Sequence, residues 1–449
     1  MDLHFLILFS LSLIDFLSPA YGYDPLDPNG NITIKWDVLV KNEDGNQNIQ
    51  VSILNYQLYR HIELPGWRLS WGWQNQEVIW DMSGSEATEQ GNCSTFLGSK
   101  KPHCCLQNPV IVDLLPGTPF NKQVSNCCKG GVLPSFVQGP GKFGSSFLMT
   151  IGSGAPSSTP PKGNVKVGVG IPTNFSLGVP GYSCGEAHLV PPSKFYSDNG
   201  RRTTEAVATY NVTCSYSQFL SSPSPKCCVS LSAFYNESII PCPRCSCGCQ
   251  GQAGLKCVKS GETPPVLQMP TDDNTPPPDP LVVCTRHMCP IRVHWHVKVS
   301  YKEYWRVKMT ITNMNYVKNY SEWNLEVLHP SLQGLTQVFS FNYKPLNQHG
   351  NFNDTGMFYG IKFYNDMLSQ AGENGNVQTE ILLRKDPGNF TFRDGWAFPR
   401  RIYFNGDECV MPAPDDYPMM PSRALLLSPP NYILLFFLLC ILWFSGFFY

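Results

Sequence analysis

Across residues 31 to 60 and 67 to 80, apolar and polar positions alternate with a period of two. In Ile49-Gln50-Val51-Ser52-Ile53 the odd positions are the apolar ones. In Trp67-Arg68-Leu69-Ser70-Trp71-Gly72-Trp73 every odd position is apolar and every even one polar or glycine. A half-buried strand requires that pattern, because successive side chains point to opposite faces of the sheet. No stretch of comparable length repeats at the helical period, and 37 glycines and 39 prolines punctuate the apolar runs. An all-β fold with many turns follows.

The texture returns downstream in Trp305-Arg306-Val307-Lys308-Met309-Thr310-Ile311-Thr312-Asn313 and Trp323-Asn324-Leu325-Glu326-Val327. Matching Asn55 to Asn313 sets Val51 over Met309 and Ile53 over Ile311, and a later Trp-x-Leu aligns after a two-residue deletion. This reads as a divergent duplication, or as two sandwiches of similar design. Between them, Gly139 to Asn164 is rich in Gly, Ser and Pro, and Lys259 to Pro280 carries too many prolines to hold a ladder of backbone hydrogen bonds. The expected organisation is two β-sandwich domains joined by a disulfide-rich segment and a Pro-rich linker. Its parts are a signal peptide (1–22), an N-terminal sandwich (23–138), a Gly/Pro/Ser-rich connecting region (139–213) and a Cys-rich segment (214–258). A Pro-rich linker (259–283), a C-terminal sandwich (284–412) and a terminal spacer with an anchor signal (413–449) complete it.

The two ends set the compartment. Leu3 to Leu17 is apolar and Ala20-Tyr21-Gly22 offers small residues for a signal peptidase, so the mature chain is expected to start at Tyr23. Tyr432 to Tyr449 is uncharged and apolar, with no Lys or Arg after it, and small residues precede it at Ser422 and Ala424. That order is a signal for a glycosylphosphatidylinositol anchor attached at Ser422, which would hold the protein on the outer plasma-membrane leaflet. Removal of both signals leaves about 400 residues, room for two or three domains.

Formal charge is −1 and 15% of residues are charged, below the ~25% of an average globular chain. Nucleic acid and anionic membrane both demand a dense basic footprint, so neither is expected as partner. Uncharged, hydroxyl-rich ligands remain open. Of the 18 cysteines, Cys440 lies in the tail, which leaves an odd seventeen in a secreted body. Disulfides are therefore expected, including in the run Cys242, Cys245, Cys247, Cys249 and Cys257, where spacing alone would allow a thiolate metal site. Neither a metal nor a cofactor is expected. N-x-Ser/Thr sequons at Asn31, Asn92, Asn174, Asn211, Asn236, Asn319, Asn353 and Asn389 predict a glycosylated surface.

Several motifs carry a resemblance. They are Tyr23-Asp24-Pro25-Leu26-Asp27-Pro28, Gly66-Trp67-Arg68-Leu69-Ser70-Trp71, Glu77-Val78-Ile79-Trp80-Asp81-Met82, Cys104-Cys105, Cys127-Cys128-Lys129-Gly130-Gly131 and Gly181-Tyr182-Ser183-Cys184. The most specific is Cys227-Cys228-Val229-Ser230. Together they resemble the COBRA family of plant cell-wall proteins, with CCVS as its namesake motif. The resemblance implies a lipid-anchored extracellular protein that assists cellulose deposition and oriented cell expansion. It implies no reaction. Residues from about Ile49 to Gly131 also look like a family-two carbohydrate-binding module, in which Trp67 and Leu69 would be core and Trp80 an exposed platform.

A glucan chain has apolar C–H faces and a hydroxyl rim, which flat aromatic rings and polar side chains can cover. The two resemblances imply cellulose or another β-glucan as the partner, with Trp80 the leading contact and Trp73, Trp36 and Trp71 further candidates. Glycoside hydrolysis needs two carboxyl groups held ~5–10 Å apart. Glu77, Asp81, Glu86 and Glu89 are present, but no pattern marks a pair, and a non-catalytic protein is expected. His294-Trp295-His296 lacks a third ligand at a recognisable spacing and reads as two solvent-facing histidines beside a core tryptophan. The alternatives are a surface adhesion or signalling ectodomain with a protein ligand, and a wall glucan hydrolase or transglycosylase.

Overall fold

Alternation in the sequence becomes sheet in the molecule. A computed structural model describes residues 24 to 418, apart from short internal stretches and the longer runs 154–169 and 243–288, within which strands 256–259 and 281–284 are placed. Among the described residues no helix is long and apolar enough to cross a membrane.

The first sandwich is built from β1 (Ile32–Lys41), β2 (Gln47–Asn55), β3 (Arg68–Gly72), β4 (Glu77–Ser83), β5 (Ser85–Ala87), β6 (Val110–Asp113) and β7 (Gly144–Ser153). It continues through β8 (Thr173–Ser176), β9 (Tyr182–Cys184), β10 (His188–Val190), the hairpin β11 (Lys194–Ser197) and β12 (Arg202–Glu205), and β13 (Ala208–Tyr216). One sheet runs β10-β13-β1-β2-β7-β4 with β9 beside β13, and the facing sheet runs β5-β6-β3-β8. Five strands from the expected connecting region at 139–213 (β7, β8, β9, β10 and β13) are therefore part of this sandwich. β7 lies against β2 and β13 against β1, both in antiparallel register, and Cys184–Cys214 ties β9 to β13.

Between the sheets lie Ile34, Trp36, Ile49, Val51, Trp67, Leu69, Trp71 and Phe147, each buried. The loop Cys127-Cys128-Lys129-Gly130-Gly131 clamps the start of β3. Gly131 sits at φ 79°, where a side chain would be strained, and a Cβ there would fall 2.7 Å from the Trp67 nitrogen. Asp113 fixes the loop by accepting the backbone N–H groups of Cys128, Lys129 and Gly131 at 2.8, 2.9 and 3.0 Å.

The second sandwich begins earlier than the linker suggested. Its strands are β14 (Cys227–Ala233), β15 (Asn236–Ile240), β18 (Ile291–Ser300), β19 (Tyr304–Asn313) and β20 (Asn324–Leu328), while β16 (Lys256–Lys259) and β17 (Leu281–Cys284) pair with each other in a separate two-stranded sheet. Then come β21 (Leu335–Val338), β22 (Phe341–Leu346), β23 (Thr355–Gly360), a short helix α1 (Tyr364–Met367), β24 (Asn376–Arg384), β25 (Arg401–Phe404) and β26 (Asp407–Glu408). The two layers are β15-β14-β18-β19-β24-β21 and β22-β23-β20-β25-β26. The CCVS strand β14 runs parallel to β18 inside the first layer. The 214–258 segment is thus divided. Cys214 belongs to the first sandwich and Cys227 to Ala233 to the second, so the second sandwich starts before the Pro-rich stretch, whose residues between β16 and β17 lie outside the described ones.

The two sandwiches share a hairpin. Ile32 opposes Asn55 in β1–β2, Ile291 opposes Asn313 in β18–β19, and each hairpin bulges six residues on, between Val38 and Val40 and between Val297 and Val299. Asn55 Nδ2 donates to the carbonyls of Arg60, Leu133 and Pro134, while its Oδ1 accepts the Gln57 N–H. Asn313 Nδ2 donates to Lys318, Leu368 and Gln370, and its Oδ1 accepts the Asn315 N–H. A buried amide whose donors and acceptor are all used fixes three chain segments at one point. The duplicated Asn is that pin.

Candidate functional site

Trp80 owes its position to a backbone irregularity. Register between β4 and β7 shifts from Ile79–Ile151 to Asp81–Thr150, leaving Trp80 as the extra residue of a bulge on an edge strand. Bulges re-aim a side chain. Here the indole lies over Gly152, where a Cβ would approach its Nε1 to 2.8 Å, on the outer face of the sheet. The ring is half-buried and packs edge-on to Phe96, centroids 5.3 Å apart at 84°. The loop bearing Phe96 is cross-linked by Cys93–Cys105, and it is pinned to β4 by reciprocal backbone bonds between Ile79 and Cys104. Beside this ring a shallow groove of about 220 Å³ is lined by Leu39, Asn48, Asp81, Leu148 and Thr150. Leu148 is 37% exposed and Asp81 is exposed, so the face offers apolar surface and hydrogen-bonding groups together.

The other three candidate tryptophans are not platforms. Trp36, Trp71 and Trp73 are 2%, 1% and 5% exposed. They interlock edge-to-face, Trp36 to Trp71 at 5.3 Å and Trp71 to Trp73 at 5.4 Å, with Phe175 against Trp36 at 6.0 Å. The physical reason is β8. It returns from beyond residue 170 to pair with β3 and roofs the strand end that the sequence left open at Trp73. Trp67 is likewise buried, stacked on Phe147.

Glu77 is 4% exposed, and its carboxylate accepts the N–H of Asn75 at 2.7 Å, the Asn75 side-chain amide at 3.0 Å and the N–H of Gly170 at 2.9 Å. It holds two loops in place. Asp81 accepts the N–H of its neighbour Met82.

A cleft of about 520 Å³ separates the sandwiches, walled by Tyr182, Tyr216 and Tyr403 and by an ion-pair network. Arg60 reaches Asp24 at 3.1 Å and Asp407 at 3.4 Å, and its guanidinium lies 3.5 Å over the Tyr216 ring. Lys318 holds Glu63 at 2.6 Å and Lys226 holds Asp407 at 2.6 Å. Asn324 donates to the Tyr59 carbonyl at 2.6 Å and Gln138 to the Glu322 carbonyl at 2.6 Å, so a cluster of polar bonds also crosses the interface. His61 sits here with neither ring nitrogen partnered, and burial lowers its pKa from 6.5 to about 4. Glu63 raises and Lys318 lowers that value by smaller amounts.

The CCVS strand shows why its cysteines are adjacent. Successive strand residues face opposite ways, so Cys227 turns inward to Cys409 and Cys228 outward to Cys242. Ser230 Oγ lies 2.7 Å from His294 Nδ1, and Ser232 Oγ lies 2.9 Å from His294 Nε2 and 2.7 Å from His296 Nδ1. The two histidines are half-buried and tied to this strand rather than open to solvent, and Trp295 between them is in the core. Cys104 is reduced and buried, whereas Cys245, Cys247 and Cys249 lie outside the described residues.

Among the sequons, Asn92, Asn174, Asn236 and Asn319 are exposed and Asn31 and Asn211 half-buried. Asn92 precedes the bridged Cys93, and Asn211 opposes Lys35 on the outer face of the first sheet. Asn353, Asn389 and Ser422 lie outside the described residues.

Residues 47–217 match the COBRA N-terminal domain and residues 226–418 the COBRA family C-terminal domain, a division that falls at the cleft. The chain belongs to the COBRA family. It is 58% identical to COBRA-like protein 6 of Arabidopsis thaliana, over 94% of this chain and 93% of that protein. It is 56% identical to COBRA-like protein 1 of Oryza sativa subsp. japonica (93% and 91% covered). To the Arabidopsis thaliana protein named COBRA it is 54% identical (93% and 90%). Two COBRA motifs thus have a physical account: CCVS bridges both faces of a buried strand, and Cys-Cys-Lys-Gly-Gly clamps the start of β3. Pattern alone missed the buried Asn pin, the Arg60 network and the Phe96 prop behind Trp80. The pin did have a signal, since Asn55 and Asn313 are the anchor of the internal repeat.

Proposed function

We propose that the protein is a non-catalytic, outward-facing wall protein that binds cellulose or a similar β-glucan on the outer face of the seven-stranded sheet. In this reading Trp80 is the stacking ring, and binding assists cellulose deposition, microfibril organisation and oriented cell expansion. The observation that carries it is the bulge: it sets one propped indole beside a groove whose walls mix Leu39 and Leu148 with Asn48, Thr150 and Asp81. A glucan offers the matching pair of surfaces, C–H faces for the ring and hydroxyls for the polar rim. The structural use of Glu77 supports a binding rather than a hydrolytic role, since a carboxylate accepting three hydrogen bonds from its own loops is a poor acid or nucleophile. A lipid anchor added at Ser422 would hold this face near the membrane where the polymer emerges.

The test is sedimentation of the purified protein with microcrystalline cellulose, with and without a soluble competing β-glucan, alongside an assay for released reducing sugar. The expected result is competable binding and no sugar release. Steady release of sugar would place the protein among the glucan hydrolases, and absence of binding would favour a protein ligand. Release from intact cells by phosphatidylinositol-specific phospholipase tests the anchor; retention with an intact C-terminal peptide would contradict it.

A further inference from the structure

A formal charge of −1 conceals a segregation of charge within the second sandwich. Along β18, β19 and β24 the inward positions are core residues. The outward ones include Arg292, Lys298, Arg306, Lys308 and Arg384, flanking the half-buried pair His294 and His296. Glu380 is the one carboxylate at the outward positions of these strands, and it is taken up by Lys298 at 2.7 Å and by Arg306. Among the described residues Arg292, Lys308 and Arg384 form no ion pair. Arg292 is half-buried, and its Nε is shielded from solvent with no hydrogen-bond acceptor. A shielded guanidinium donor without an acceptor is unfavourable unless an anion arrives to take it. At the margin of this face Phe339 is 48% exposed, with the Arg306 guanidinium 5.6 Å from its ring centre.

We propose that this face is a second polysaccharide site, for a linear carboxylated polymer of uronic acid units. Arg306 and Lys308 stand two residues apart on β19, ~6.6 Å, with Lys298 at the bulge beside Arg306, while Arg292 opposite Thr312 and Arg384 opposite Tyr304 each lie four residues along the sheet from Lys308, ~13 Å. A flat polymer with one carboxylate per sugar reaches successive charges at such intervals. Phe339 supplies a ring for the C–H face of a sugar, which an inorganic phosphate or a lipid headgroup would leave unused. The outward positions of the three strands also hold no exposed large hydrophobic side chain to enter a bilayer. The whole-chain charge balance is no objection, because a field focused on one face attracts a polyanion whatever the sum. The site is independent of the groove beside Trp80.

The probes are de-esterified polygalacturonate, its fully methyl-esterified neutral form, and vesicles containing phosphatidylserine, each offered to the full-length secreted protein. The acidic polymer should bind and the esterified one should not. Raising salt from ~50 to ~500 mM should weaken binding by ~10-fold or more, as expected for exposed charges. Lys308→Glu with Arg384→Glu should weaken it by a further ~10-fold while the melting curve and cellulose binding stay unchanged. If that double variant fails to fold, Lys308→Gln should give a smaller loss of the same kind. Equal binding to both polymers, indifference to charge reversal, or capture by the vesicles with none by the polymer would overturn the proposal.

Discussion

The two sandwiches begin from one hairpin and finish with opposite outer faces. In both, an Ile opposes a pinning Asn, a bulge follows six residues later, and a tryptophan two pairs before it (Trp36 or Trp295) fills the core. Their neighbours then differ. β1 is flanked by the antiparallel β13 and tethered through Cys184–Cys214, whereas β18 is flanked by the parallel β14, fixed at Cys227–Cys409 and Cys228–Cys242. Outside, the first sheet carries Trp80 and a groove of mixed polarity, while the second carries a row of cations around one carboxylate. Buried groups that pin several segments hold the frame, because an unsatisfied amide or a cavity is costly. Outward side chains carry no such constraint, and there the two halves have diverged.

The largest effect should come from the bridges. In the chain-entropy picture a closed loop of 182 residues stabilises more than one of 30, ~5 against ~4 kcal/mol. Cys227→Ala with Cys409→Ala should therefore lower the denaturation midpoint of the second sandwich further than Cys184→Ala with Cys214→Ala lowers that of the first. The reverse order would show that strand geometry, not loop closure, dominates. The pins come next. Asn55→Ala and Asn313→Ala each remove three carbonyl partners, and each should cost ~3 kcal/mol in its own domain. A large effect from one and none from the other would break the equivalence of the two hairpins.

The interface between the halves should respond to acid. His61 is neutral in the fold, with its pKa lowered from 6.5 to about 4. The unfolded chain therefore binds the extra proton first. Stability is full above pH ~6.5, falls as pH drops toward 4 and levels off below, by up to ~3 kcal/mol. Glu326, whose pKa burial raises well above the usual range, acts with the opposite sign. The informative quantity is thus the difference between wild type and His61→Gln, which should flatten the urea-midpoint profile between pH 4 and 6.5. Parallel profiles would mean that His61 is not held neutral.

Much of this frame was legible in the sequence. Period-two alternation gave the strands, and the Asn55–Asn313 match aligned β2 with β19, which hold equivalent places in the two hairpins. What alternation cannot give is the partner of a strand. Residues 139–213 read as linker because glycine, serine and proline dominate, yet β7, β8 and β13 within them complete both sheets. That long-range closure is why Trp36, Trp71 and Trp73 are core. The bulge at Trp80 was equally invisible, since a one-residue register shift depends on β7, some seventy residues on. The double cysteine of CCVS could be seen but not its logic, which needs the strand and both of its faces.

Trp80 against Trp36 is the most direct test of the central claim that the half-buried bulge residue, not the core tryptophans, makes the glucan face. Cellulose pull-down and thermal melting should be measured on Trp80→Ala and Trp36→Ala together. Trp80→Ala should lose ~1–3 kcal/mol of binding with its melting point nearly unchanged. Trp36→Ala should lose ~3–5 kcal/mol of stability and bind only in proportion to the protein that remains folded. Normal cellulose binding by Trp80→Ala, or a fall in its melting point as deep as that of Trp36→Ala, would contradict the account.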